Sequence, residues 1–70
     1  MEKVIIERLP ITLAQFLKWA NVAINGGEAK GLIRDGLVSL NGTICLVAGQ
    51  KLEIGDLVAI AELKFIVANE

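Results

Sequence analysis

Glycines divide this chain into pieces so short that only a small, turn-rich fold can use them. One block runs Gly26-Gly27-Glu28-Ala29-Lys30-Gly31-Leu32-Ile33-Arg34-Asp35-Gly36. A second follows directly as Leu37-Val38-Ser39-Leu40-Asn41-Gly42, and Ile54-Gly55-Asp56 comes later. Gly36 falls where a helix ends in a left-handed residue, which glycine adopts without a Cβ clash. Asn41-Gly42 is the dipeptide favoured in a two-residue hairpin turn, where both central residues need positive φ. Gly55-Asp56 signals a further turn. The blocks spell a short helix, a stop, a strand, a tight turn and another strand.

The remaining elements follow from periodicity. Val4-Ile5-Ile6 is a β-branched run between charges and reads as a strand at a sheet edge, ended by Pro10. Thr12 is a good N-cap, and Leu13, Phe16, Leu17 and Ala20 then fall on one helical face, with Lys18 opposite. Asn25-Gly26-Gly27 is turn punctuation that can also open a helix. The spacing predicts that second helix over 28–35, with Ala29, Leu32 and Ile33 inward. Leu37–Leu40 and Thr43-Ile44-Cys45 read as hairpin partners, Gly49-Gln50-Lys51 as a loop, and Leu52-Glu53-Ile54 as renewed strand alternation. Leu57–Ile60 and Leu63–Val67 form a last hairpin around Ala61-Glu62. Segregated helices and strands predict an α+β fold, two helices packed on one face of a small antiparallel sheet of four to five strands.

Size and composition narrow the function. Seventy residues make one domain, 1–70, with a thin core: a chain this small buries only about 60–65% of its unfolded surface. A 54% hydrophobic composition offsets this. The one cysteine, Cys45, forbids an internal disulfide and favours a reduced, cytoplasmic setting. The absence of histidine removes histidine-containing zinc sites and histidine-based triads. With no nucleophile–base pair in the chain, we expect no enzyme, cofactor or metal. Glu2-Lys3-Val4-Ile5-Ile6-Glu7-Arg8 does not read as a signal peptide, and no apolar run is long enough to span a bilayer.

Seven basic and eight acidic side chains leave a net charge of −1, so any basic site must come from segregation. The second helix supplies it. Lys30 and Arg34 are one turn apart on one side, Gly27 and Gly31 lie beside them, and Glu28 and Asp35 fall on the other flank. The glycine-rich start at Gly26 and Gly27 offers free N–H groups and a positive dipole end, which suit a phosphate. Gly31 is the odd residue. In a helix interior it costs about 1 kcal/mol relative to alanine, an expense explained if the first helix or a ligand backbone packs closely there. On this helix alone a solvated face is the simpler reading.

The whole arrangement resembles the S-four-like (αL motif) RNA-binding domain, first described in a ribosomal small-subunit protein. The matching pieces lie within 11–60: Leu13-Ala14-Gln15-Phe16-Leu17, then Gly26-Gly27-Glu28-Ala29-Lys30, then the run from Leu32 to Gly42, then Gly49-Gln50-Lys51-Leu52 and Ile54-Gly55-Asp56-Leu57-Val58. The stand-alone small bacterial type, with paired glycines before the second helix, is the nearest in character. The resemblance implies two helices on a small bent antiparallel sheet. It also implies binding of structured RNA, ribosomal or transfer RNA, through the helical pair and adjoining loop. By position, Lys30 and Arg34 match the basic face of the second helix and Lys51 a cation before the Gly-Asp turn. Lys18 stands where members often carry a phosphate-contacting side chain. Asn41 and Gly42 match the turn and are structural.

One departure is chemical. Where stand-alone members usually read Arg-Arg-Gly-Arg, this chain has Val47-Ala48-Gly49-Gln50. Phosphate contacts dominate affinity, so fewer cations mean weaker binding or dependence on a larger assembly such as the ribosome. The same change leaves Ile44-Cys45-Leu46-Val47-Ala48 continuously apolar. Either it caps the thin core, or it exposes Ile44, Leu46 and Val47 to a protein partner or a second copy. The alternative function is therefore a protein-interaction module on the same fold, with RNA binding weakened or lost. Trp19 can stack on a base, though a lone tryptophan in a small domain is more often a core or boundary residue. Cys45 reads as a buried thiol, and Glu53 with Asp56 as turn chemistry.

Overall fold

The Gly36, Asn41-Gly42 and Gly55 turn signals adopt the backbone their residues favour, while Ala61 of the last hairpin also takes a positive φ, 52°. In the computed structural model, which describes residues 2–7 and 10–69, Gly36, Gly42 and Gly55 have φ of 74°, 87° and 95°, and Asn41 has φ 52°. Arg8, part of the charged N-terminal pattern, lies outside the described residues, as do Met1 and Glu70 of the 1–70 span.

The element order is β1 (Glu2–Ile5), β2 (Ile11–Thr12), α1 (Leu13–Trp19), α2 (Gly26–Arg34), β3 (Val38–Leu40), β4 (Thr43–Ile44), β5 (Lys51–Leu52), β6 (Leu57–Ile60) and β7 (Leu63–Ala68). Five strands form one sheet in the order β1-β7-β6-β3-β4, and β2 pairs with β5 in a separate two-stranded sheet. The α+β expectation holds. Its sheet is mixed, however: β1 runs parallel to β7, with Glu2 opposite Phe65 and Ile5 opposite Ala68, while the other pairs are antiparallel. A parallel pair cannot be joined by a tight turn. Here the whole helical and hairpin region forms the connection, which returns the chain end to the edge where it began.

Several boundaries move. α2 begins at Gly26 because the Asn25 side chain caps it, accepting from the Glu28 N–H at 2.8 Å. The strand read over 52–54 is Lys51–Leu52; Leu52 is buried, but Ile54 is exposed. Lys51 is thus a strand residue and not part of a loop.

The core sits between the helices and the sheet. Leu13, Phe16 and Leu17 of α1, Ile33 of α2, and Val38, Val58 and Val67 of the sheet are fully buried. Phe16 meets Phe65 edge to face, with centroids 6.3 Å apart and planes at 74°. Such a pair adds about 1 kcal/mol beyond the area it buries. Leu32 is half-buried and packs against this cluster.

The segment after β4 realises both alternatives weighed for it. Cys45 and Ala48 pack against the core, whereas Ile44, Leu46 and Val47 remain 55%, 60% and 58% exposed. Cys45 is half-buried rather than enclosed, and its thiol faces the Val47 carbonyl oxygen at 3.7 Å.

Candidate nucleic-acid interface

The two helices share a capping chemistry but present different N-termini. At α1, the Thr12 hydroxyl accepts from the Gln15 N–H at 3.2 Å, and Gln15 Oε1 accepts from the Thr12 N–H at 2.9 Å. The loop before β5 completes the end, because Leu13 N–H donates to the Gln50 carbonyl at 2.8 Å and Ala14 N–H to that of Ala48 at 3.1 Å. All first-turn donors of α1 are therefore engaged.

α2 is capped less completely. Its Glu28 N–H goes to Asn25 Oδ1 at 2.8 Å and its Ala29 N–H to the Asn25 carbonyl at 3.1 Å. Among the described residues, no protein acceptor meets the N–H of Gly26 or Gly27. Their positive dipole end faces outward. The Glu28 carboxylate, which would repel an anion there, is drawn back to accept from the Ile24 N–H at 3.2 Å.

Lys30 and Arg34 continue the same helix and are both exposed, one turn apart. From the open amides to Arg34 spans about two turns, roughly 11 Å. Ala29 and Ile33, buried on the adjoining face about 100° round the helix, fix the helix's rotation and leave that basic edge exposed.

The other two cations flank α1. Lys51 is exposed on β5 directly opposite Thr12, so β2–β5 pairing delivers it to the helix's first turn. Lys18 is exposed near the helix's last turn, about 9 Å along the axis from Thr12. The structure therefore joins Gly26, Gly27, Lys30 and Arg34 on one helix and sets Lys51 and Lys18 at the two ends of its neighbour. The Lys51 placement was hidden in the sequence because a two-residue strand has no periodicity to detect.

At Gly31 the structure agrees with the simpler reading of a solvated face. A Cβ there would meet nothing within 4 Å among the described residues, so neither α1 nor any other described part of the fold requires a glycine.

Asn41 and Asp56 are structural. Asn41 Nδ2 donates to Asp56 Oδ1 at 3.1 Å, and Asn41 Oδ1 accepts from the Leu57 N–H at 2.9 Å. Asp56 Oδ2 accepts from the Glu53 N–H at 2.8 Å. These bonds lock the β3–β4 turn to the Gly55-Asp56 turn and give the Asp56 carboxylate a structural use.

Trp19 is a boundary residue, 55% exposed, whose Nε1–H donates to the Ile5 carbonyl at 2.9 Å. It borders an open cleft of about 690 Å³ lined also by Ile6, Glu7, Ile11, Gln15 and Lys18. Sequence reasoning did not single out Glu7 or Gln15, since the cleft brings Ile6 and Glu7 together with residues of α1 that are distant in sequence. No helix among the described residues is long and apolar enough to cross a membrane.

A small α+β unit with an open, basic-edged helix start has the character of a nucleic-acid-binding module. The S4 domain family model matches residues 4–68, and the chain belongs to that family. S4 domains are in general RNA-binding modules and not enzymes. No curated protein matches the chain.

Proposed function

We propose that this protein binds structured RNA, ribosomal or transfer RNA, in the cytoplasm and catalyses no reaction. Lys30 and Arg34 hold phosphates along α2, the amides of Gly26 and Gly27 cradle one more, and Lys18 and Lys51 extend the grip across α1. The carrying observation is the pair of amides, without a protein acceptor among the described residues, that head the same exposed helix edge as Lys30 and Arg34. Recognition on this footing follows backbone shape and phosphate position more than base sequence.

The test is a titration of isotopically labelled protein with ribosomal RNA fragments at low and moderate salt, following backbone amide shifts. Shifts centred on Gly26, Gly27, Lys30, Arg34 and Lys51 that fade with salt are expected. No binding at low salt would rule the reading out.

A second reading has its own observation. Ile44, Leu46 and Val47 are exposed together, and no charged side chain occurs between Asp35 and Lys51. This uncharged apolar surface suits a protein partner, such as a ribosomal protein, or a second copy. Sedimentation that depends on concentration and is abolished by Leu46→Lys would support it; a strictly monomeric protein that captures no protein from ribosomes would not.

A further inference from the structure

We propose that the cleft beside Trp19 receives one unpaired RNA base, guanine in preference, a subsite that builds on the RNA-binding reading above. Its volume, about 690 Å³, falls in the range of small-ligand sites. Three features of its lining match a nucleotide.

The first is the indole. Trp19 keeps 55% of its surface exposed, although its one polar atom is already satisfied internally by the Ile5 carbonyl at 2.9 Å. That bond fixes the ring's orientation while more than half of the residue stays open to solvent. A rigid platform loses little side-chain freedom when a base stacks on it. Lys18, the second feature, lines the same cleft and is exposed, so its ammonium group can meet the phosphate of the stacked nucleotide.

The third is the polar lining. Gln15 Oε1 is committed to the Thr12 N–H at 2.9 Å, which assigns the amide's orientation and leaves its NH₂ to donate. Glu7, when ionised, only accepts. One donor group and a two-oxygen acceptor in the same lining complement the Watson–Crick edge of guanine, which presents O6 as acceptor and N1–H and N2–H as adjacent donors. Adenine and cytosine offer one amino group beside acceptors, and uracil a single N–H between two carbonyls, so each leaves part of the lining unpaired.

Trp19 is the only tryptophan in the chain, so its emission reports on this cleft alone. The experiment titrates the protein with a hairpin RNA bearing one unpaired loop guanine, the same hairpin with uracil there, a fully paired duplex, and guanosine monophosphate. Binding is read in parallel by anisotropy of end-labelled RNA. The guanine hairpin should quench Trp19 and bind more tightly than its uracil counterpart, and the duplex should bind without quenching. Trp19→Ala should weaken hairpin binding about ten-fold. Trp19→Phe, which keeps a stacking face but loses the bond to Ile5, should retain most of it. Glu7→Gln should remove the preference for guanine over uracil.

Hairpin binding with unchanged Trp19 emission would overturn the base site while leaving the phosphate grip on α2 intact. Equal losses in the Phe and Ala variants would assign Trp19 a structural role and overturn it as well. Guanosine monophosphate binding as tightly as the hairpin would replace RNA with free nucleotide as the ligand. Failure of every RNA to bind would overturn this proposal together with the reading beneath it.

Discussion

Gly31 shows what a single residue does and does not disclose. Its sequence position marks it as an unfavourable helix residue, and close packing is the usual excuse. The space beside it is empty to 4 Å, so the protein's own fold supplies no such excuse. Gly31→Ala should therefore stabilise the protein by about 1 kcal/mol, measured by urea unfolding; a loss of stability would show a constraint the fold does not reveal. Gly36 is the opposite case. Its φ of 74° is unfavourable for any residue bearing a Cβ, and this was legible because a glycine after a helical stripe has a known use. Asn41 was legible only in part. Its turn could be read from the Asn-Gly pair, but its bonds to Asp56 and Leu57 could not, because those partners lie 15 and 16 residues away.

Among elements, the hairpins and helices were readable and the smallest pairings were not. β3 and β4 follow from Asn41-Gly42, and α1 from Thr12 and its apolar face. The β2–β5 pair contains two residues per strand and leaves no pattern, yet it brings Lys51 to α1. The parallel β1–β7 pair was equally hidden, since nothing local in a β-branched run names a partner at the far end of the chain. The turn network connecting β3–β4 to the Gly55-Asp56 turn is the element-level joint most exposed to damage. Asn41→Ala removes two side-chain hydrogen bonds and places alanine at φ 52°. A destabilisation of about 2 kcal/mol is expected, seen as a lower denaturant midpoint with an unchanged slope; an effect near zero would show that the two turns are set by their backbones alone. At α2 the cap is Asn25, and Asn25→Ala should cost about 1 kcal/mol while also loosening the amides at Gly26 and Gly27. Amide hydrogen exchange at Glu28, whose N–H the cap engages, should then accelerate; unchanged exchange would count against the cap's role there.

At the scale of the whole molecule, charge decides less by its sum than by its placement. A net charge of −1 attracts no polyanion at long range, and the proposed binding rests on the few cations the fold sets on α1, α2 and β5. The order of glycines, helices and turns made the family legible, and that order is scaffold. The composition at 47–50 shows only that cations are missing there, from which weaker binding or dependence on a larger assembly is expected. The cleft at Trp19 was not legible, since it needs two chain segments to meet. With Lys18, Lys30, Arg34 and Lys51 each neutralising one phosphate, log affinity should fall with log salt at a slope of about −3; a slope near zero would mean that phosphates are not what the protein holds. The most direct measurement of the central claim, that α2 is the gripping helix, is RNA affinity of the Lys30→Glu, Arg34→Glu double variant. Both side chains are exposed, so thermal unfolding should be unchanged within about 0.5 kcal/mol while RNA binding is lost. Undiminished affinity in a folded double variant would contradict it.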